Sequence, residues 1–288
     1  LKRIATVTEK IVPFMVLIYM VGTIAILVKN FAMIPAVFTA IFEGAFALKA
    51  AGGGIVGYGI KLAIEQGMKR GVFSNEAGLG SSVMVHSNSN VREPVRQGMW
   101  GIFEVFADTM VVCTLTAFTV LSSGLIDLDT GIAVTEYAGV ELTKANLVST
   151  VFTMNFGWLG GAFVAIAIVL FAYSPVRGWS HYGSKACEYL FGAKATKVYR
   201  IVFVLATFGG AVMGENLAWD IADTLNGMMM IPNLIGVTVL SPVVYRITKN
   251  YVARKILGKS EEPILSSFPD IQAEAQQAQL PVQSPARE

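Results

Sequence analysis

The chain of 288 residues is 54% hydrophobic and only 15% charged, with a mean hydropathy of +0.58. A soluble domain carries roughly 25% charged residues, so this balance excludes an ordinary soluble protein and indicates a membrane one. A formal charge of +2 without a dense basic cluster gives no reason to expect a nucleic-acid partner.

Lys2-Arg3 leads directly into a hydrophobic run, and no signal-peptide pattern is read there. Ile11 to Val28 is one apolar run, close to the ~20 residues of a bilayer crossing. Phe31 to Leu48 is a second, with Pro35 near its start, where a helix tolerates proline. Gly52-Gly53-Gly54 is expected to end it. Residues 57–70 alternate Ile60, Leu62, Ile64 and Met68 with Lys61, Glu65, Lys69 and Arg70, which is too charged to span alone. They read as an amphipathic approach to a broken segment.

Residues 70–82 carry Gly71, Gly78 and Gly80 together with Ser74-Asn75-Glu76. Glycine costs about 1 kcal/mol per residue inside a helix, and short polar side chains compete for its backbone bonds. Within a bilayer such a stretch survives only where the broken backbone lines a protein-enclosed or watery cavity. Transporters use that arrangement to hold a polar solute and its coupling ion near the midplane. A helical break over 70–82 is therefore the first expectation, with a short half-helix from Val83 and the polar run His86 to Asn90 after it.

Met99 to Leu121 reads as a span, and 123–146, with Asp127, Asp129, Glu136 and Glu141, as a polar connection. Phe156 to Tyr173 spans again and is expected to break at Ser174-Pro175, continuing as a more polar stretch to about Gly192. Pro175 removes a backbone donor and frees carbonyls near Phe171 and Ala172. Ile201 to Met213 is the next span. Residues from Glu215 to Asp223 read as a connecting segment, and Leu234 to Tyr245 as the core of the last crossing. Residues 1–255 thus form a transmembrane domain and 256–288, rich in Gln, Pro, Ser and Glu, a disordered tail. Cys113 and Cys187 read as packed thiols, and two scattered histidines make no metal site.

Basic residues collect at 2–10, 92–96, 185–200 and 246–259, while most alternate connections are acidic or neutral. This asymmetry puts those loops and the tail on the cytoplasmic side. Lys61, Lys69 and Arg70 run against it.

The run Lys69-Arg70-Gly71-Val72-Phe73-Ser74-Asn75-Glu76-Ala77-Gly78-Leu79-Gly80-Ser81 resembles the signature of the sodium:alanine (alanine/glycine:cation) symporter family. Phe106 to Thr114, with Asp108-Thr109, resembles that family's Asp-Thr helix. Phe171 to Gly192, with Gly178-Trp179-Ser180-His181-Tyr182-Gly183, resembles its Gly-Trp-x-Tyr-Tyr-Gly segment, and Ile231-Pro232-Asn233-Leu234 resembles the start of its last helix. These matches cover about residues 8 to 250. The resemblance implies an all-α transmembrane protein, the second half of a five-plus-five inverted-repeat (leucine-transporter-like) bundle with broken helices. On that reading the chain is the C-terminal part of a larger transporter whose N-terminal half is missing here.

Each candidate residue has a structural and a functional reading. Glu76 either braces the break, by capping freed N–H groups or pairing with Arg70 or Lys69, or couples an ion or proton. Ser74 and Asn75 offer oxygens to Na⁺ and donors to a carboxylate. Phe73 walls the pocket or simply packs, and Gly78 of the break is counted with the substrate-binding residues. Asp108 and Thr109, inside an apolar span, are an ion site or a buried brace. Freed carbonyls of Phe171 and Ala172 with the Ser174 hydroxyl are hard oxygen ligands for Na⁺. The resembled family usually has two neighbouring hydroxyls there, whereas Pro175 stands at the second and Arg177 at a usually apolar place. The resemblance makes Trp179 the closing wall of the substrate pocket, and a lone Trp also serves as an interfacial anchor.

The expected activity is symport of a small neutral amino acid, alanine or glycine, with Na⁺ across the plasma membrane by alternating access. It needs no cofactor beyond Na⁺ as coupling ion and no covalent chemistry, so the chain is not expected to be an enzyme. The alternatives are a proton-coupled amino acid transporter and a fragment inactive by itself. A channel would need a continuous polar pore, and an intramembrane enzyme a metal motif or nucleophile–base pair, neither of which the sequence carries.

Overall fold

The computed structural model describes residues 2–46, 53–143 and 146–277. They form helices α1 (Lys2–Lys29), α2 (Ile34–Phe46), α3 (Gly53–Asn75), α4 (Val83–His86), α5 (Pro94–Val105), α6 (Thr114–Leu121), α7 (Leu147–Phe156), α8 (Trp158–Phe191), α9 (Ala195–Val212), α10 (Glu215–Lys255) and α11 (Pro269–Gln277). A π-helical stretch, Phe106–Cys113, joins α5 to α6. One small hairpin pairs Glu136 with Glu141 and Tyr137 with Val140. The protein is all-α and transmembrane in composition. Among the described residues, four helices are long and apolar enough to cross a membrane: 94–121, α8, α9 and α10. The first two apolar runs qualify only together, Pro13–Lys29 and Phe31–Phe46 meeting at a bend of 78°. They make a broken span or a re-entrant pair where two separate crossings are expected from sequence. Gly52 lies outside the described residues, and α3 begins at Gly53.

The chain divides into two compact units, Leu1–Arg70 with Asp108–Ala218, and Gly71–Ala107 with Trp219–Glu288. The core of the first unit gathers Tyr19, Ile26, Val120, Leu125, Val151, Phe152 and Val164. Tyr19 and Phe152 stack with ring centroids 5.5 Å apart, while the Tyr19 hydroxyl hydrogen-bonds the Thr116 hydroxyl at 2.7 Å. Gly22 admits the Phe152 ring, since a Cβ there would lie 2.8 Å from Cε1. At the end of α1 the Asn30 amide donates to the Ser122 carbonyl at 3.1 Å, and Lys29 Nζ to Asn155 Oδ1 at 3.1 Å. Outside this core, Val169, Leu205 and Phe208 stand exposed. Such apolar surface is what a helix presents to lipid or to further protein.

Four further sequence expectations give way. Ser174-Pro175 does not interrupt a helix: α8 runs unbroken from Trp158 to Phe191 with Pro175 inside it. A transmembrane helix tolerates proline where neighbouring groups re-satisfy the backbone. The segment from Glu215 to Asp223 is the first part of α10 and not a connection. Over 256–277, where a disordered tail is expected, the chain is ordered. The Gln272 carboxamide accepts from the Leu265 and Ser266 amides at 2.7 and 2.9 Å and donates to the Pro263 carbonyl at 2.8 Å. Residues 278–288 lie outside the described ones. Both cysteines are free, but Cys113 is exposed where a packed thiol is expected.

In the 123–146 connection, Asp127 Oδ1 accepts from the amides of Asp129 at 2.8 Å and Thr130 at 3.1 Å. The Thr130 bond, then the Asp129 bond, hold its carboxyl below the usual carboxylate range. A depressed carboxyl contributes its stabilisation above the unfolded value, about pH 4, and loses it as pH falls through the folded one. Protection of the Asp129 and Thr130 amides, taken against the intrinsic exchange rate at each pH, should therefore fall on acidification below about pH 4, and in Asp127→Ala it should be low at pH 7 as well. Equal protection in both proteins at pH 7 would remove this turn.

Candidate functional site

The break in the second unit is narrower than the composition of residues 70–82 implies. Helix α3 carries Gly71 and Phe73 and ends at Asn75, and the irregular backbone runs from Glu76 to Ser82, just before α4 begins at Val83. Glu76 itself has φ +49°, a left-handed conformation uncommon for a residue with a side chain. Gly78 and Gly80 lie beyond it at φ +85° and +76°. Three left-handed residues within five positions cannot continue an α-helix, and only glycine adopts this conformation at no steric cost. The turn closes on itself: the Leu79 amide donates to the Glu76 carbonyl at 3.2 Å, and the Ser81 hydroxyl donates to Glu76 Oε2 at 2.7 Å. One oxygen of the Glu76 carboxylate is thereby engaged in bracing the loop. Leu79 and Ser81 are buried, Asn75 and Glu76 half-buried, and Ser74 exposed.

Helix α10 supports the break. A Cβ on Gly80 would lie 2.5 Å from Asn233 Oδ1 and 2.9 Å from its Cγ. Gly78 has more room, its nearest neighbours being Leu234 and Met230 at 3.9 Å. Phe73 packs edge-on against Trp219 with ring centroids 5.1 Å apart. Trp219 and Asn233 are residues that reasoning about the break alone passes over. The signal for Asn233 is a carboxamide next to Pro232 in an otherwise apolar run, Met228 to Leu240. Beyond α4, His86 Nδ1 pairs with the Gln97 carboxamide at 2.7 Å, tying the half-helix to α5.

The other candidates fall in the first unit. Asp108 and Thr109 stand half-buried on the π-helical stretch. Such stretches often occur at functional sites, because widening the turn by one residue re-aims the side chains. On α8, Phe171 is half-buried, Ala172 and Ser174 are exposed, and Trp179 is 40% exposed. Only the Phe171 carbonyl loses its helical donor to Pro175, since the bond from residue i reaches i−4. For the Ala172 carbonyl the corresponding donor, the Val176 amide, is retained. The Arg177 guanidinium lies 5.7 Å from the centre of the Tyr173 ring, a cation–π contact along the helix.

A glycine-built break held against a long apolar helix, within an order of motifs that runs nearly the whole chain, is matched by one family model. That model describes the sodium:alanine symporter family and covers residues 1–265. The chain belongs to the sodium:alanine symporter family. Curated relatives agree. A sodium/alanine symporter of Methanococcus maripaludis is 43% identical over 251 residues, 87% of this chain and 52% of that protein. A probable sodium/glutamine symporter of Bacillus subtilis is 36% identical over 259 residues, 90% of this chain and 51% of that protein. A sodium/proton-dependent alanine carrier protein of Bacillus sp. strain PS3 is 34% identical over 269 residues, 91% of this chain and 59% of that protein. The chain spans about half the length of the curated relatives it matches. Family membership and the apolar helices make it a multi-pass membrane protein.

Proposed function

We propose that the complete protein is a secondary symporter that carries a small neutral amino acid, alanine or glycine, inward with Na⁺ across the plasma membrane. The chain supplies the second half of a five-plus-five inverted-repeat bundle, with the N-terminal half of the same transporter as its partner and its tail cytoplasmic. The observation that carries this reading is the left-handed break from Glu76 to Ser82, in a family named for sodium and alanine.

The physical logic starts from the helix ends. An interrupted helix leaves N–H and C=O groups without intrahelical partners, and these carry partial charges of opposite sign. A zwitterion's carboxylate and a Na⁺ ion neutralise each other where such groups converge. In this reading Phe73, Ser74, Asn75, Glu76 and Gly78, with Trp179, serve the amino acid. The carbonyl of Phe171, the Ser174 hydroxyl, Asp108 and Thr109 serve the ion. Transport proceeds by alternating access, and no bond is made or broken.

Radiolabelled alanine uptake by the full-length protein in proteoliposomes should require an inward Na⁺ gradient and fall at least about tenfold when choline replaces Na⁺, the sign of a coupling ion bound with the solute. Uptake that follows a proton gradient and ignores Na⁺ would instead assign coupling to a proton, with Glu76 its carrier. The relative from Bacillus sp. strain PS3 is named as a sodium/proton-dependent carrier, which makes that arm worth running. The 288-residue chain expressed alone should show no uptake if the missing half completes the site.

Asn75 gives a local test. Loss of one polar contact to a charged ligand is worth about 1.5–3 kcal/mol, roughly ten- to a hundredfold in affinity. Asn75→Ala should weaken alanine binding by that factor at unchanged yield of folded protein. Unchanged affinity in a poorly folding variant would make Asn75 a brace of the helix end.

A further inference from the structure

Two cavities of the second unit share one residue, Arg96, on the first turn of α5. The first, of about 530 Å³, is lined by Arg92, Glu93, Arg96, Arg254 and Lys255 among others, where α5 begins and α10 ends. The second, of about 430 Å³, is lined by Arg96, Met99, Trp100 and Phe103. One is a basic cup and the other an apolar groove.

The charges of the cup do not cancel internally. Arg254 is committed to Glu93, the two side chains only 11% and 13% exposed, and its Nε donates to Asn250 Oδ1 at 2.9 Å. Among the described residues, Arg92, Arg96 and Lys255 form no ion pair. The nearby Glu261 is turned to the Asn250 carboxamide at 3.3 Å and does not line the cup. The start of α5 adds to the positive field. Glu93 occupies its N-cap position without a side-chain cap, Pro94 comes next, and the partial charge of a helix N-terminus is positive.

The groove continues from the cup along α5. From Arg96 to Phe103 the helix rises about 10 Å at roughly 1.5 Å per residue. That distance exceeds the interfacial layer on each side of a bilayer, about 5–8 Å. A molecule filling both cavities is anionic at one end and apolar at the other. Met99, Trp100 and Phe103 stand 46%, 56% and 57% exposed, with the two rings edge-to-face at 5.7 Å.

We propose that this end of the second unit binds an anionic phospholipid, its phosphate headgroup among Arg92, Arg96 and Lys255 and an acyl chain along Met99, Trp100 and Phe103. Charge complementarity selects the headgroup, and the adjoining groove selects an amphiphile over a free anion. The proposal does not depend on which solute the transporter carries.

The test uses the purified full-length protein with two lipids of equal chain length, phosphatidylglycerol and phosphatidylcholine, titrated in detergent and read by native mass spectrometry. The wild type should retain phosphatidylglycerol in preference to phosphatidylcholine. The variant R92Q/R96Q/K255Q, which leaves the Arg254–Glu93 pair intact, should bind phosphatidylglycerol about a hundredfold more weakly and phosphatidylcholine unchanged. A second readout needs no charge variant. Phosphatidylglycerol brominated on its chains should quench the part of the tryptophan emission that Trp100→Phe removes. Equal retention by wild type and triple variant, or no quenching of Trp100, overturns the proposal. So does inorganic phosphate binding at the cup with no preference among the lipids, which would make it a site for a soluble anion.

Discussion

Gly80→Ala is expected to destabilise the break by about 2–5 kcal/mol and to abolish transport by the full-length protein. Two costs add. The residue sits at φ +76°, where an L side chain costs roughly 1–2 kcal/mol. Its Cβ would also meet Asn233 Oδ1 at 2.5 Å, and relieving such overpacking typically costs about 1–3 kcal/mol. The two are separable. In Gly80→Ala/Asn233→Ala the steric part should disappear while the backbone part remains, so the double variant should melt above the Gly80→Ala single. Gly78→Ala is the matched control: it shares the left-handed backbone at φ +85° but has no neighbour nearer than 3.9 Å. Gly78→Ala should therefore cost only the backbone share. Equal melting temperatures for Gly78→Ala and Gly80→Ala would show that Asn233 does not press on the loop.

Glu93→Gln should be the second large effect. Its carboxylate neutralises Arg254, and both side chains are mostly withdrawn from water. Removing one partner of a buried ion pair leaves a charge without compensation and costs about 3–5 kcal/mol, whereas replacing both is far milder. The Asn250 carboxamide oxygen, already bonded to Arg254 Nε, softens the loss toward the lower figure. Thermal denaturation in detergent should show Glu93→Gln well below wild type, with Glu93→Gln/Arg254→Gln recovering part of the loss. A single variant as stable as wild type would mean that water reaches the pair freely. Because Asn250 also accepts from the Ile264 amide at 3.1 Å and donates to the Glu262 carbonyl at 2.9 Å, loss of the pair should loosen residues 261–266 too. Faster amide exchange there is the local signature.

How legible each feature is in the sequence depends on how it is encoded. The first break is written in glycines at left-handed positions, and Gly78 and Gly80 occupy them; the family signature around them is equally explicit. Its N-terminal edge is less legible. Gly71, Ser74 and Asn75 disfavour a helix by no more than about 1 kcal/mol each, and α3 continues through them. Pro175 illustrates the converse error: it deletes one hydrogen bond out of a helix of 34 residues, which need not interrupt the helix. The stretch from Glu215 to Asp223 misleads because its charge mimics a connection. Charge argues against lipid contact, not against a helix, and Glu215 at the first turn of α10 is where a helix dipole favours an acid. The ordering of 256–277 depends on single carboxamides, Asn250 and Gln272, each satisfying several backbone groups, which composition does not reveal. The candidate site residues come from chemistry and resemblance, whereas the contacts of Asn233 and Trp219 need three dimensions.

The π-helical stretch from Phe106 to Cys113 also sets an angular phase. Each of its i→i+5 turns takes up one residue more than an α-turn, so the stretch absorbs an extra residue without turning the helix that follows it. Deleting a single residue such as Met110 would let the stretch relax to ordinary α-helix and leave the side chains of α6 where they are. The same deletion placed in the regular helix beyond it, at Leu115, would instead swing every following side chain by about 100° about the axis. Thr116, whose hydroxyl meets Tyr19, and Val120 in the first unit's core would then face elsewhere. Length in residues is thus forgiving at the π-helical stretch and strict in the α-helix that follows it.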